Sequence, residues 1–185
     1  MVAEPIRHRF TLDEYRTMVE SGILAADDRT ELIEGEIWEM TPIGSRHASS
    51  VNRINRIFSA LHEQAVLSVQ HPVDLDLDNE LQPDFALLRP VADFYGSRHP
   101  RAIDVFLIVE VADSTLGFDR GTKSRLYARA GIAELWIVDL AGRALEVHRD
   151  PGPKGYASVR RLRPGERIAP LAFPDFEIDP ADVLG

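Results

Sequence analysis

Residues 104–112 read Asp104-Val105-Phe106-Leu107-Ile108-Val109-Glu110-Val111-Ala112. A run this short and this apolar predicts a strand covered on both faces, inside a sheet rather than at its edge. Glu110 interrupts it. Side chains alternate along a strand, so Glu110 shares a face with Phe106, Ile108 and Ala112. A buried carboxylate is costly unless it is paired, protonated or bound to a metal. Glu110 therefore either sits at a strand end, reaching solvent or an arginine, or belongs to a built site.

On the C-terminal side, residues 115–118 read as a loop and residues 119–130 as a helix stopped by Gly131. Asp119, Lys123, Leu126 or Tyr127, and Ala130 share one face of that helix. If Leu126 and Ala130 face the sheet, Lys123 is carried inward, where an ammonium would relieve buried carboxylates. The alternative is an exposed Asp119–Lys123 pair, worth a few tenths of a kcal/mol. Residues 134–140 form a second buried strand containing Trp136. Ala141-Gly142 turns it into a hairpin with residues 144–149, and residues 159–168 hold a turn at Pro164-Gly165.

On the N-terminal side, residues 83–88 form a strand that opens with Pro83-Asp84, after which residues 89–102 are a polar loop. If this strand neighbours the central one, Asp84 and Glu110 meet at one sheet edge. Two carboxylates that close bind a hard divalent cation through oxygen. Pro-Asp is also a common turn dipeptide. Residues 66–77 read as one strand, with Asp74, Asp76 and Asp78 on a solvated face. A helix begins near Ser45, and its stripe of Val51, Ile54, Phe58 and Leu61 extends back to His47. Residues 31–40 read as a hairpin turning at Glu34-Gly35, with Trp38 in the core. Thr11 and Glu14 form a capping box for a first helix carrying Leu12, Tyr15 and Val19. The order of elements predicts a mixed α/β (α+β) fold, a central β-sheet flanked by helices, as one domain over residues 1–185.

Composition sets limits on function. The 185 residues are 44% hydrophobic and 28% charged, which excludes a disordered or fibrous chain. The absence of cysteine excludes a disulfide scaffold, a thiolate zinc site and a cysteine nucleophile. No apolar run approaches the ~20 residues that span a bilayer, and Met1 to His8 lack a signal-peptide core. The expected location is the cytoplasm. Net charge is 21 minus 30, or −9, unlike a typical nucleic-acid binder. The charges are uneven, however. Asp27, Asp28, Glu31, Glu34, Glu36 and Glu39 crowd one segment, while Arg120, Lys123, Arg125 and Arg129 crowd another without an acid. Arg120 and Arg125 lie off the buried stripe of their helix, as a solvated face or as phosphate contacts.

Pro83-Asp84 followed by Glu110-Val111-Ala112 resembles the PD-(D/E)XK nuclease superfamily. The further run Asp113-Ser114-Thr115, Asp119, Lys123, Tyr127 and Gly131-Ile132-Ala133-Glu134-Leu135-Trp136-Ile137-Val138-Asp139 resembles its Uma-type family of restriction endonucleases. Glu31-Leu32-Ile33-Glu34-Gly35-Glu36 and His47 are similar to that family's N-terminal signature, so the resemblance covers residues 10–150. Ala112 departs from the pattern, which has lysine there; in this family the lysine has moved to the next helix, at Lys123. The resemblance implies a restriction-endonuclease-like core and hydrolysis of DNA phosphodiester bonds with magnesium or manganese. Asp84 and Glu110 would hold the metal and Glu31 would help. Lys123 would orient the attacking water or stabilise charge on phosphate, with Asp119 positioning it. His47 is a proton carrier or outer ligand, or else a satisfied core histidine. Cutting both strands of a duplex suits a homodimer. A catalytically inactive binding or assembly module on the same fold is the competing expectation, favoured by Ala112 and the low pI. A metal-free carboxylate-pair hydrolase fits less well, because of Lys123.

Overall fold

The computed structural model describes residues 6–25 and 28–185, so Met1 to Pro5 of the segment read for targeting, and Asp27 of the acidic run, lie outside the described residues. In chain order the elements are α1 (Leu12–Glu20), β1 (Thr30–Ile33), β2 (Glu36–Glu39), α2 (Ser45–Phe58), β3 (Val66–Ser68), β4 (Val73–Asp76), β5 (Asn79–Leu81) and β6 (Phe85–Leu88). There follow β7 (Val105–Ala112), α3 (Leu116–Phe118), a π-helical turn (Asp119–Lys123), α4 (Ser124–Arg129), β8 (Glu134–Asp139), β9 (Ala144–Gly152), β10 (Gly155–Leu162) and α5 (Pro180–Leu184).

The large sheet has six strands in the order β10-β9-β8-β7-β6-β3. The strand built on the Asp104–Ala112 run is internal, as its apolar composition requires. It pairs antiparallel with β6 and parallel with β8. A parallel neighbour needs a crossover, and α3, the π turn and α4 supply it. The strand's two faces bury into different layers. Leu107, Val109 and Val111 pack with Trp136 and Val138 against Val51, Ile54 and Phe58 of α2. Ile108 and Ala112, with Leu135 and Ile137, pack against Leu126 and Tyr127 of α4. Glu110 lies between Ile108 and Ala112 on this second face. Phe106, expected there too, packs on the α2 side instead; the strand pairing shifts register at Leu87–Leu88, which breaks the alternation.

A second sheet, in the order β2-β1-β5-β4, covers the α4 side. Ile33, Val73 and Leu81 join the same apolar layer as Leu126 and Tyr127. On its outer face, Leu32 and Ile37 pack beneath Leu12 and Tyr15 of α1, whose capping box between Thr11 and Glu14 is formed as expected.

Residues 66–77 are two strands in different sheets, β3 and β4, rather than one. Gln70 takes a left-handed φ of 54° between them. The alternation of apolar and acidic residues begins only at Val73, and Val66 and Leu67 of β3 pack into different layers, so no period runs across the break to mark it. Asp74 and Glu80 both pair with Arg16, so Asp74 does not line a simple solvated face. Trp136 is core, but Trp38 is 42% exposed. Among the described residues no helix is long and apolar enough to cross a membrane.

Candidate active site

Strand pairing sets Phe85 opposite Val109, which brings Asp84 beside Glu110. The Asp84 amide donates to Glu110 Oε2 at 3.4 Å, and Asp84 Oδ2 accepts from the Val111 amide at 2.8 Å. The two acidic residues singled out in sequence thus adjoin where β6 begins, and both line one cleft. His47 Nε2, from the first turn of α2, lies 2.9 Å from Asp84 Oδ2, and Gln70 Nε2 donates to Oδ1 at 3.2 Å. Burial alone would raise the Asp84 pKa. The His47 ring and the Val111 amide outweigh it and hold the carboxyl below its ordinary value.

Lys123 comes from the crossover. Its Nζ donates to Glu110 Oε1 at 3.1 Å and to Glu31 Oε1 at 2.9 Å. The helix is locally π, with the Ser124 amide bonded back to the Asp119 carbonyl. Such inserted residues recur at functional sites. Asp119 and Lys123, the two ends of the turn, are both buried. The exposed i,i+4 pair is therefore not what the chain forms. Asp119 accepts from Thr115 Oγ1 at 2.6 Å rather than bonding Lys123, so it acts on the ammonium only through its field.

Glu31 enters from β1. Its Oε1 also accepts from the Gln82 amide at 2.8 Å, while its Oε2 is buried with no hydrogen-bond partner among the described residues. Tyr127, one turn beyond Lys123, donates its hydroxyl to Glu110 Oε1 at 2.7 Å. Tyr127, Gln70, Gln82 and Thr115 were not assigned to the site from sequence. Tyr127 was the one open to inference, since the helical spacing already set it as the alternative to Leu126 on the inward face.

Glu31, Asp84, Glu110 and Asp119 line one cleft of about 290 Å³ around Lys123. Negative charge exceeds positive there. Burial, joined by the fields of Asp84, Asp119 and Glu31, pushes the Glu110 carboxyl up to about 8 against the pull of Lys123. The same surplus acts oppositely on the lysine. Burial disfavours its charge, but Glu110, Glu31 and Asp119 outweigh burial and hold the ammonium above its ordinary value. Burial and Glu110 likewise raise the Tyr127 hydroxyl, which stays a donor.

Arg120 and Arg125 lie outside this cleft. Arg120 forks onto Glu146, with Nε at 2.9 Å, and Arg125 Nη1 donates to Glu34 at 3.0 Å. Among the described residues no three His, Cys, Asp or Glu side chains converge as a ready-made metal cage. Magnesium does not require one; it takes one or two carboxylates and completes its shell with water and phosphate. The all-oxygen set of Asp84 and Glu110, with the unpartnered Glu31 Oε2 nearby, fits that demand.

A crystal structure described as "a putative nuclease belonging to DUF820", from Anabaena variabilis, superposes with a TM-score of 0.70 at 16% sequence identity, covering 97% of this chain and 98% of that one. At that identity the likeness shows a shared fold. No curated protein matches the sequence. The family model Uma2, described as "Putative restriction endonuclease", matches residues 12–181. With nearly the whole chain matched, the protein belongs to the Uma2 family.

Proposed function

We propose that this protein is a magnesium-dependent endonuclease that hydrolyses phosphodiester bonds in DNA. One observation supports this reading above the others: the Lys123 ammonium is held between Glu31 and Glu110 on the floor of a cleft whose wall is Asp84. A lone buried ion pair would need one carboxylate. This cleft has five, of which Asp113 is paired with Arg46, and the excess suits a cation and a phosphate.

Asp84 and Glu110 would hold the magnesium, with Glu31 Oε2 as a further oxygen. When bound, the metal would polarise the scissile phosphate and lower the pKa of its water. The other roles fall to the chain itself. His47 and the Val111 amide fix the rotation of Asp84. Tyr127 fixes Glu110. Lys123 stands where it can donate to a non-bridging phosphate oxygen and stabilise charge developing there. Its place on the π turn answers the absence of lysine at Ala112.

The test is plasmid nicking by the purified protein in magnesium, beside a calorimetric magnesium titration. The proposal expects nicking that Glu110→Ala abolishes. Wild-type protein that binds no magnesium and leaves the plasmid intact would sink it in favour of an inactive module.

A further inference from the structure

Resting on the nuclease reading, we infer that Trp38 and Phe118 form a stacking platform for an unpaired base, and that the DNA taken into the cleft is single-stranded. The pairing of β1 with β2 sets Trp38 directly opposite Glu31. Residues directly opposite in an antiparallel pair share a face of the sheet. Trp38 therefore lies on the face whose Glu31 meets Lys123, while the neighbouring pair, Leu32 and Ile37, points to α1. The indole contacts the Phe118 ring at 5.4 Å between centroids, tilted by 35°. Phe118 lines the cleft together with Asp119 and Lys123. The aromatic surface is thus continuous with the rim of the site, and 42% of Trp38 remains open to solvent.

Electrostatics favours a stacked base over a duplex. Binding to duplex DNA draws on cations that neutralise phosphates. This chain carries a net charge of −9. Arg46, at the start of α2 beside the cleft, is already paired with Asp113 at 3.4 Å. Arg120 and Arg125 are paired with Glu146 and Glu34. Stacking on an aromatic ring supplies affinity without neutralising charge, and every base offers a face for it.

Depth points the same way. Glu110 is 3% and Lys123 5% exposed, so a phosphate must descend to reach them. In a duplex each base is stacked on both sides and offers no free face to Trp38. An unpaired strand can bend a phosphate into the cleft while its base rests on the rim. Such a strand needs one cut, so one copy of the chain suffices.

The experiment reads affinity from the anisotropy of an end-labelled single-stranded oligonucleotide, the matching duplex, and an abasic strand of equal length as protein is added, and follows tryptophan emission in the wild type. Calcium replaces magnesium to separate binding from cutting. The other tryptophan, Trp136, is 1% exposed and shielded from the strand. The single strand should quench wild-type emission. Trp38→Ala should bind it on the order of tenfold more weakly, and Trp38→Phe should recover most of the loss. The abasic strand should bind wild type and Trp38→Ala alike. In magnesium the single strand should be cut faster than the duplex. Equal single-strand affinity in Trp38→Ala and wild type, or a duplex bound and cut at least as well as the strand, would overturn the inference and leave the nuclease reading standing. Trp38-dependent binding without cutting of any DNA would instead defeat the nuclease reading and keep the platform.

Discussion

Lys123 Nζ lies 2.9 Å from Glu31 Oε1, across 92 positions of sequence. The contact joins the crossover helix of the large sheet to the β1–β2 hairpin of the small one. Lys123 also bonds Glu110, so one ammonium ties three elements together and neutralises part of an acidic cleft.

Lys123→Met keeps most of the side-chain volume and removes the charge. Glu31 and Glu110 are then buried without a counter-ion, a loss of about 3–5 kcal/mol. The loss should be smaller at pH 6 than at pH 9, because a Glu110 with a pKa of about 8 is protonated at the lower value. Urea denaturation at both pH values measures this, and nicking should be absent in the variant. A variant as stable as wild type at pH 9 would contradict the pairing described above.

Stability of the metal-free protein should fall as pH rises from 6.5 to 9. In the folded state Glu110 has a pKa of about 8 against an ordinary 4.5, so the folded chain binds the proton more tightly. That contribution is complete below 4.5 and is lost as pH climbs through 8. Glu80, raised to about 7 chiefly by burial, acts in the same sense. Burial holds His99 and His148 below their ordinary 6.5, and they act oppositely only beneath that value. Glu110→Gln should flatten the upper part of the curve. Thermal unfolding across this window decides the matter; a flat or rising wild-type melting temperature counts against a proton shared by this site.

Tyr127→Phe deletes one buried hydroxyl and little else. Its hydrogen bond favours the ionised form of Glu110, the form that would hold magnesium, so nicking by the variant should need a higher pH than nicking by wild type. Stability should drop by about 1.5–3 kcal/mol at pH 9, the range for a bond to a charged group. An unmoved pH profile would show that Tyr127 is only a packing residue.

Arg120→Ala and Arg125→Ala should leave DNA affinity within about twofold of wild type, the sum of small exposed effects. Each arginine shares its acid with a second one. Glu146 keeps Arg161, and Glu34 keeps Arg129. Filter binding with each variant is the check, and a tenfold loss would mean that DNA recruits these side chains away from their acids.

Local physics wrote several of these features into the sequence. The apolar run 104–112 specified an internal strand, because nothing else hides so many branched side chains on both faces. The cost of burying a carboxylate marked Glu110. The stripe Val51, Ile54, Phe58 oriented α2, and the box between Thr11 and Glu14 started α1. Each depends on residues a few positions apart. The rest depends on partners far along the chain. The alternation of Val73, Leu75 and Leu77 could not show that residues 66–68 join a different sheet. Trp38 alternates like a core residue, yet the face it shares with Glu31 opens onto the cleft. Helical spacing placed Lys123 and Tyr127 inward without saying which oxygens they would meet. Strand register and the π turn settle that, for a hydrogen bond needs its donor and acceptor within about 3 Å, and only the packed sheets bring Glu31, Asp84, Glu110 and Lys123 so close.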